Sequence, residues 1–443
     1  MYFVGALCVY LLYLKKSGGK LYAFTFLLFT AALLSKAMAI TLPFVLLTID
    51  YFKERKISGK VIVEKIPFLV LSIVFGYVSI LSQKSNDALG DITALSILDR
   101  LAFSGYSLVM YIVSLFWFGN ISAFYNYPLL ENGKYPMVYY IIPLALVVLF
   151  WLLYKMKEHR KVIVFSFGFF LITIALVLQI IPAGNVIMAD RYTYLPYIGL
   201  FFLIAVLLNH FSKKHRNVIY GLFGVYIIAC VYFSFERTKI WHDSMALWND
   251  TIEKNPDAAL PYNNRANLFI TAGQQEKALV DLNKAIEIRP KYVSAHYNRA
   301  LIYNKTNKFK EAIKDLSFVL GNNPRDIVSV YMERGIAYFN TGNFKAAYDD
   351  LGEALKRDPK IPAAYFYRGM ALYSTKQFPM AIEELTYLID HDPRYSKAFY
   401  IRALSYYELQ AFQKAYNDVL TAKKMGYEVD EKFLQELTDK LKS

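Results

Sequence analysis

At 443 residues the chain has room for two or three domains. Its 56% hydrophobic content excludes an ordinary soluble globule, and its net charge of +14 is unevenly placed: residues 1–235 carry 20 Lys and Arg against 9 Asp and Glu, residues 236–443 carry 30 against 27. The basic excess therefore lies between hydrophobic runs, a pattern of membrane loops rather than of a nucleic-acid binder. The two cysteines, Cys8 and Cys230, support neither a zinc site nor a disulfide framework.

Apolar runs fall at about 2–14, 21–34, 37–52, 66–82, 101–118, 137–154, 162–181, 195–209 and 218–235. A crossing helix needs about 20 apolar residues, and the runs at 66–82, 101–118, 137–154, 162–181 and 218–235 are adequate. The first run starts directly after Met1 and ends at Lys15-Lys16, without the basic start or cleavage site of a signal peptide. It is short for a full span, so it reads as the tail of a longer membrane domain, with the chain beginning in that domain's middle. Residues 21–52 read as one long kinked helix or a short hairpin turning at Ser35-Lys36.

Basic clusters at Lys15, Lys16 and Lys20, and in residues 53–65, 155–161 and 213–216, should all face the cytoplasm. They can do so only if one apolar run fails to cross. The stretch 84–118, with its amphipathic beginning, is the candidate for a half-inserted element. Segments 119–136 and 182–194 and the whole repeat array described below then lie on the non-cytoplasmic side, in a bacterial case the periplasmic side of the inner membrane.

Charges in or beside membrane segments are costly and mark candidate sites. Lys36 sits between two apolar runs, and Asp190-Arg191 sits where a loop returns to the bilayer. Lys36 and Arg191 could hold the phosphate of a lipid-linked donor, with Asp190 orienting Arg191. The plainer alternative is an Asp190–Arg191 pair capping the next helix, with Lys36 snorkelling to the surface. Asp50 reads as an interfacial cap, and Trp117, Tyr125, Tyr127 and Tyr135 as an aromatic belt. His210 and His215 flank a basic loop, and no His, Cys or acid cluster has metal-ligand spacing, so no metal is expected. There is no phosphate-cradling glycine loop and no nucleophile elbow.

Residues 236–258 form a linker and a helix leading into five repeats over 259–426, followed by a C-terminal capping helix within 427–443. Pro256, Pro290, Pro324, Pro359 and Pro393 recur at spacings of 34, 34, 35 and 34. Ala266, Ala300, Gly335, Gly369 and Ala403 take the small position of a first helix, and Ala278, Ala312, Ala347, Ala381 and Ala415 that of a second. Leu282, Leu316, Leu351, Leu385 and Val419 follow four residues later. This period and pattern match the tetratricopeptide repeat (TPR), a helix–turn–helix unit that stacks into a superhelix. The fold class is therefore all-α: a polytopic helical membrane domain followed by a TPR solenoid.

Each repeat also carries an arginine before the first small residue (Arg265, Arg299, Arg334, Arg368, Arg402) and an acid after the second (Asp281, Asp315, Asp350, Glu384, Asp418). These should meet as ion pairs within each repeat. A concave groove should present Tyr297, Leu301, Met332, Ile336, Phe366, Met370, Tyr400 and Leu404, an apolar lining suited to a protein or peptide partner. Packing between repeats is the competing role for the same residues.

The segment from Ser35 through Pro43 to Asp50-Tyr51, then Ala189-Asp190-Arg191-Tyr192-Thr193-Tyr194-Leu195-Pro196, then Trp241 and Leu247-Trp248 ahead of the repeats, resembles bacterial relatives of the transmembrane-and-TPR (TMTC) protein O-mannosyltransferases. The resemblance implies a GT-C-type membrane fold, with the TPR array on the non-cytoplasmic side presenting an acceptor. It also implies transfer of a sugar from a polyprenyl-phosphate-linked donor to protein hydroxyls, at the membrane lipid surface. Enzymes of this type carry catalytic acids in the first external loop, whereas residues 1–35 here contain no Asp or Glu. A non-catalytic, membrane-anchored TPR scaffold is the alternative.

Overall fold

The structure is a computed structural model describing residues 1–443 except 57, 86–94, 118–120, 124, 129, 131–132, 179, 181–185, 323 and 443, and except the side chains of 83–85 and 211–215. Contacts divide it into two units, Met1–Pro256 and Asp257–Ser443. The first holds α1 (Tyr2–Lys16), α2 (Gly19–Ser35), α3 (Leu42–Phe52), α4 (Gly59–Val63), α5 (Ile66–Ser85), α6 (Ile97–Ser114), α7 (Val138–Ile141), α8 (Leu144–Lys155), α9 (Arg160–Ile174), α10 (Tyr197–Trp241) and α11 (Ser244–Lys254). Among the described residues, five helical stretches are long and apolar enough to cross a membrane: Gly59–Ser82, Ile97–Ser114, Val138–Lys155, Lys157–Val177 and Arg216–Trp241.

Apolar packing organises this unit around two cores. One joins α1, α2, α3 and α5 through Tyr10, Phe29, Leu42, Leu46 and Phe68. The other joins α6, α9 and the start of α10 through Phe103, Tyr111, Phe170, Ile174, Leu200 and Leu203. At Lys36 the backbone is extended (φ −160°, ψ 132°), which ends α2; a 3₁₀ turn, Ala37–Thr41, leads to α3, whose Pro43 lies in its first turn. The turn expected at Ser35-Lys36 is thus a broken joint.

α10 is helical over 45 residues but cannot be straight. The Tyr197 hydroxyl donates to the Tyr111 carbonyl (2.6 Å) and the Tyr226 hydroxyl to the Leu115 carbonyl (2.7 Å), and these two carbonyls are one turn apart at the end of α6. In a straight helix Tyr197 and Tyr226 would lie about 44 Å apart. The helix therefore doubles back between them, and apolar stretches lie in Tyr197–His210 and in Arg216–Trp241 among the described residues.

Three of the basic clusters converge on one end of the unit, where His210, ahead of the fourth in sequence, also lies. Arg55 donates to both oxygens of Glu64 (2.8 and 2.9 Å), Glu64 accepts from Tyr13 near the first cluster, Lys161 reaches Glu54 at 2.5 Å, and the rings of His159 and His210 lie 4.6 Å apart. One of these cations is not solvated. Lys65 is buried beside fully buried Asp50 (2.9 Å), with the Tyr10 hydroxyl accepting from Lys65 (2.7 Å) and donating to Asp50 (2.7 Å). Asp50 is thus the centre of an internal ion-pair network, not an interfacial cap, because a buried carboxylate must be paired.

Both flanks of α6 stay at the opposite end. Asp99, which closes a capping box with Ser96, accepts from the Tyr140 hydroxyl ahead of α8, and Tyr125 beyond α6 meets Asp190. The beginning of the stretch, 86–94, lies outside the described residues.

The second unit stacks five helix pairs: α12 (Ala259–Thr271) with α13 (Gln275–Ile288), α14 (Val293–Lys305) with α15 (Phe309–Leu320), α16 (Ile327–Asn340) with α17 (Phe344–Arg357), α18 (Pro362–Ser374) with α19 (Phe378–His391), and α20 (Ser396–Glu408) with α21 (Phe412–Lys424). α22 (Glu431–Lys442) closes the end through buried Leu437. The small position is small for a steric reason. A Cβ on Gly369 would sit 2.7 Å from Leu385 Cγ, and one on Gly335 2.8 Å from Leu351 Cγ. The turn between paired helices takes a left-handed residue in every repeat, at Gly273, Asn307, Gly342, Lys376 and Gln410. The expected ion pairs form, and four are bidentate at 2.7–2.9 Å: Arg265–Asp281, Arg299–Asp315, Arg334–Asp350 and Arg402–Asp418.

Candidate functional site

The end of the first unit opposite the basic clusters is built from loops tied by a short antiparallel ribbon, β1 (Tyr125–Asn126) with β2 (Val186–Met188). A 3₁₀ turn, Asp190–Tyr192, follows β2 and is held by the Thr193 hydroxyl donating to the Asp190 carbonyl (2.7 Å). The buried Tyr111 hydroxyl accepts from the Ala189 amide (3.0 Å), which locks this turn onto α6.

Successive side chains of the turn diverge, since a 3₁₀ helix rotates each residue by about 120°. Asp190 points inward, where Oδ1 accepts from the Tyr125 hydroxyl (3.3 Å) and Oδ2 is buried without a hydrogen-bond partner. Burial pushes its carboxyl up to about 6, against the pull of Tyr125, Arg237 and Lys254. Arg191 points outward: Nη1 donates to the Ala123 carbonyl (2.9 Å) and the guanidinium lies over the Tyr192 ring. Asp190 therefore neither orients Arg191 nor pairs with it; adjacency in sequence becomes opposition in space.

Arg191 and Lys36, 155 residues apart, line one cavity of about 490 Å³. Its walls come from Met1–Val4, Ala32, Ser35, Met38, Ala39, Tyr192, Tyr194, Leu195 and Ile198. Among these described residues Lys36 and Arg191 are the only charged side chains and none is a carboxylate. Such a pocket can hold an anionic group with an apolar tail attached. Charge beside apolar runs put Lys36 and Arg191 in one expected site, whereas no spacing rule could have linked Asp190 to Tyr125 and Arg237.

The aromatic loop packs inward instead of forming a belt. Tyr127, Tyr135 and Tyr139 surround Phe103 at centroid distances of 5.5, 5.0 and 5.5 Å, and only Trp117 remains exposed. At the basic end, the fold brings Glu158, His159 and His210 together, although their spacing gave no metal-ligand signal.

In the second unit, Tyr297, Leu301, Met332, Ile336, Met370 and Leu404 are half-buried on the first helices of their repeats. Two expected groove residues are packing residues. Phe366 is buried against Tyr395 (5.2 Å), and Tyr400 lies against Tyr427 (5.0 Å) and Phe433 of α22. An amide cluster lies on the same first helices, in which Asn298 donates to Asn263 (3.0 Å) and Asn267 (2.9 Å).

Family profiles described as "TPR repeat" match residues 266–307, and profiles described as "Tetratricopeptide repeat" match 293–325 and 332–385. The C-terminal unit is a TPR solenoid. The chain is 26% identical over 151 residues to the protein O-mannosyl-transferase Tmtc2 of Drosophila melanogaster, covering 32% of this chain and 15% of that protein. It is 30% identical over 90 residues to human serine/threonine-protein phosphatase 5, covering 20% and 18%. It is 31% identical over 84 residues to DnaJ homolog subfamily C member 3 of Bos taurus, covering 19% and 17%. The chain thus spans less than a fifth of the length of these relatives. Among solved structures, YrrB, a TPR protein with an unusual peptide-binding site, aligns with 24% identity over 40% of this chain and 91% of its own, with a TM-score of 0.37.

Proposed function

We propose that this is an integral membrane protein whose TPR array docks a protein partner on the non-cytoplasmic side. In this reading the membrane unit serves transfer of a sugar from a polyprenyl-phosphate-linked donor to hydroxyls of that partner. The observation that carries the reading is the cavity where Lys36 and Arg191 meet within apolar walls. Two cations supply charge-assisted bonds to a phosphate, and the walls accommodate a hydrocarbon chain. The orientation rests on three of the basic clusters gathering at the end away from Asp190, together with Lys254 and Asn255, ahead of the repeats, bonding the Ile121 carbonyl and Ser122 on the Asp190 side.

The test is sugar transfer in membranes containing the full-length natural protein. Arg191→Ala and Lys36→Ala should each slow transfer at least tenfold at limiting donor, and full rates in both would remove the cavity from the reaction. A second reading, a non-catalytic scaffold, is favoured by the absence of any carboxylate among the residues lining the cavity. It expects partner capture that fails when Leu301 and Met370 are both changed to alanine, with no transfer in any form of the protein. Transfer by the parent chain would exclude it.

A further inference from the structure

The geometry points to a transition-metal site at the basic end of the first unit, formed by Glu158, His159 and His210. One ligand atom from each lies within 4.8 Å of the other two. Ligands around one zinc-sized ion sit about 3.3 Å apart, given bonds of about 2.0–2.2 Å, so small side-chain rotations close the set. The two imidazoles already meet edge to face at 4.6 Å.

An independent observation is that His159 Nε2 is buried and has no hydrogen-bond partner. A buried polar atom without a partner destabilises the fold, and a coordinated cation removes that cost. Two imidazoles and one carboxylate suit Zn²⁺, Co²⁺ or Ni²⁺, whereas Mg²⁺ and Ca²⁺ take all-oxygen sets. Glu158 and His210 are exposed, so water can complete the coordination. Of Lys155, Lys157, Arg160 and Lys161 around the pair in sequence, two are engaged elsewhere. Lys161 pairs with Glu54, and Lys155 lies over the Trp151 ring at 3.8 Å.

The consequence is mechanical. His159 precedes α9 and His210 lies on α10, so one ion would staple the α8–α9 turn to the helix that doubles back. An ion that binds only the folded chain raises its unfolding temperature.

The experiment uses the full chain in detergent micelles, stripped with a chelator and titrated with Co²⁺ for visible absorption and Zn²⁺ for thermal midpoint. One Co²⁺ per chain, with a raised Zn²⁺ midpoint, is expected. His159→Ala and His210→Ala should each weaken Co²⁺ at least tenfold and abolish the Zn²⁺ shift, while His242→Ala and His391→Ala leave both unchanged. Absence of the Co²⁺ band, or its persistence in the His159→Ala and His210→Ala variants, overturns the site. Should those variants aggregate, Glu158→Gln at the exposed ligand decides: a threefold or greater loss of Co²⁺ affinity supports the site, and unchanged affinity overturns it.

Discussion

The fourth repeat is the one whose internal ion pair is incomplete, and repairing it should stabilise the array. In the other four, arginine Nε and Nη2 reach both carboxylate oxygens of an aspartate sixteen residues on, at 2.7–2.9 Å. Here the acid is Glu384, longer by one methylene. Only Nη2–Oε1 forms, at 2.8 Å, leaving Arg368 Nε and Glu384 Oε2 buried without partners. A second departure adds to the first. Arg299, Arg334 and Arg402 also donate Nη1 to Asn283, Ser317 and Thr386 of the preceding repeat, but the equivalent position before Arg368 is Gly352, and Arg368 turns to the Tyr348 hydroxyl. Each unpartnered buried atom costs about 1–3 kcal/mol, and the methylene lost in Glu384→Asp takes back about 0.8 kcal/mol. The expected net gain is about 1–2 kcal/mol. Amide hydrogen exchange in α18 and α19 should therefore slow by roughly fivefold to thirtyfold. Burial pushes the Glu384 carboxyl up, and Arg368 offsets only part of this. A raised acid destabilises the fold as pH rises past its ordinary value, so the gain should be larger at pH 7 than in acid. Adding Gly352→Ser, where a Cβ meets nothing within 4 Å, should extend it. Unchanged or faster exchange in Glu384→Asp would refute the reasoning.

Three further outcomes follow from the same structure. Lys65→Met leaves fully buried Asp50 with Tyr10 and a 3.6 Å approach from Arg55; it should cost about 3 kcal/mol, and Asp50→Leu added to it should recover most of that loss in a detergent thermal melt. Asp190→Asn should raise the thermal midpoint at pH 7.5, because a carboxyl pushed up to about 6 by burial costs the fold about 3 kcal/mol once ionised; the difference from the parent should close towards pH 4. Lys376→Gly and Gln410→Gly, at left-handed turn positions filled by glycine in two sister repeats, should each stabilise by about 0.5–1 kcal/mol, read from exchange of the flanking helices.

The repeat half was legible in the chain because every contact that defines it is local and periodic. Ala266 meets its partner helix after a fixed interval, and the interval recurs five times. The roles of the first half's buried acids were not legible, because their partners lie far off in sequence: Asp50 with Tyr10 and Lys65, and Asp190 with Tyr125. Phe366 shows the limit within the repeats themselves. It shares its register with Tyr297 and Met332, yet Tyr395 covers it, and register does not report what the next repeat's loop places on top.

The doubling back of α10 shows how far hydropathy alone carries the membrane half. Two apolar runs with a basic stretch between them read as separate helices, and the structure, helical over Tyr197–Trp241, reverses direction between Tyr197 and Tyr226. Taken as a straight rod, that helix would carry its second arm away from α6. The hydroxyls of Tyr197 and Tyr226 decide the matter, because carbonyls four residues apart on α6 cannot accept from both unless the arms return side by side. The reversal then carries Arg237 back towards the loops around Asp190, whose charge it influences. The arms are therefore two passes in opposite directions, and Arg237 reaches the far end of the unit just ahead of the helix that leads to the repeats.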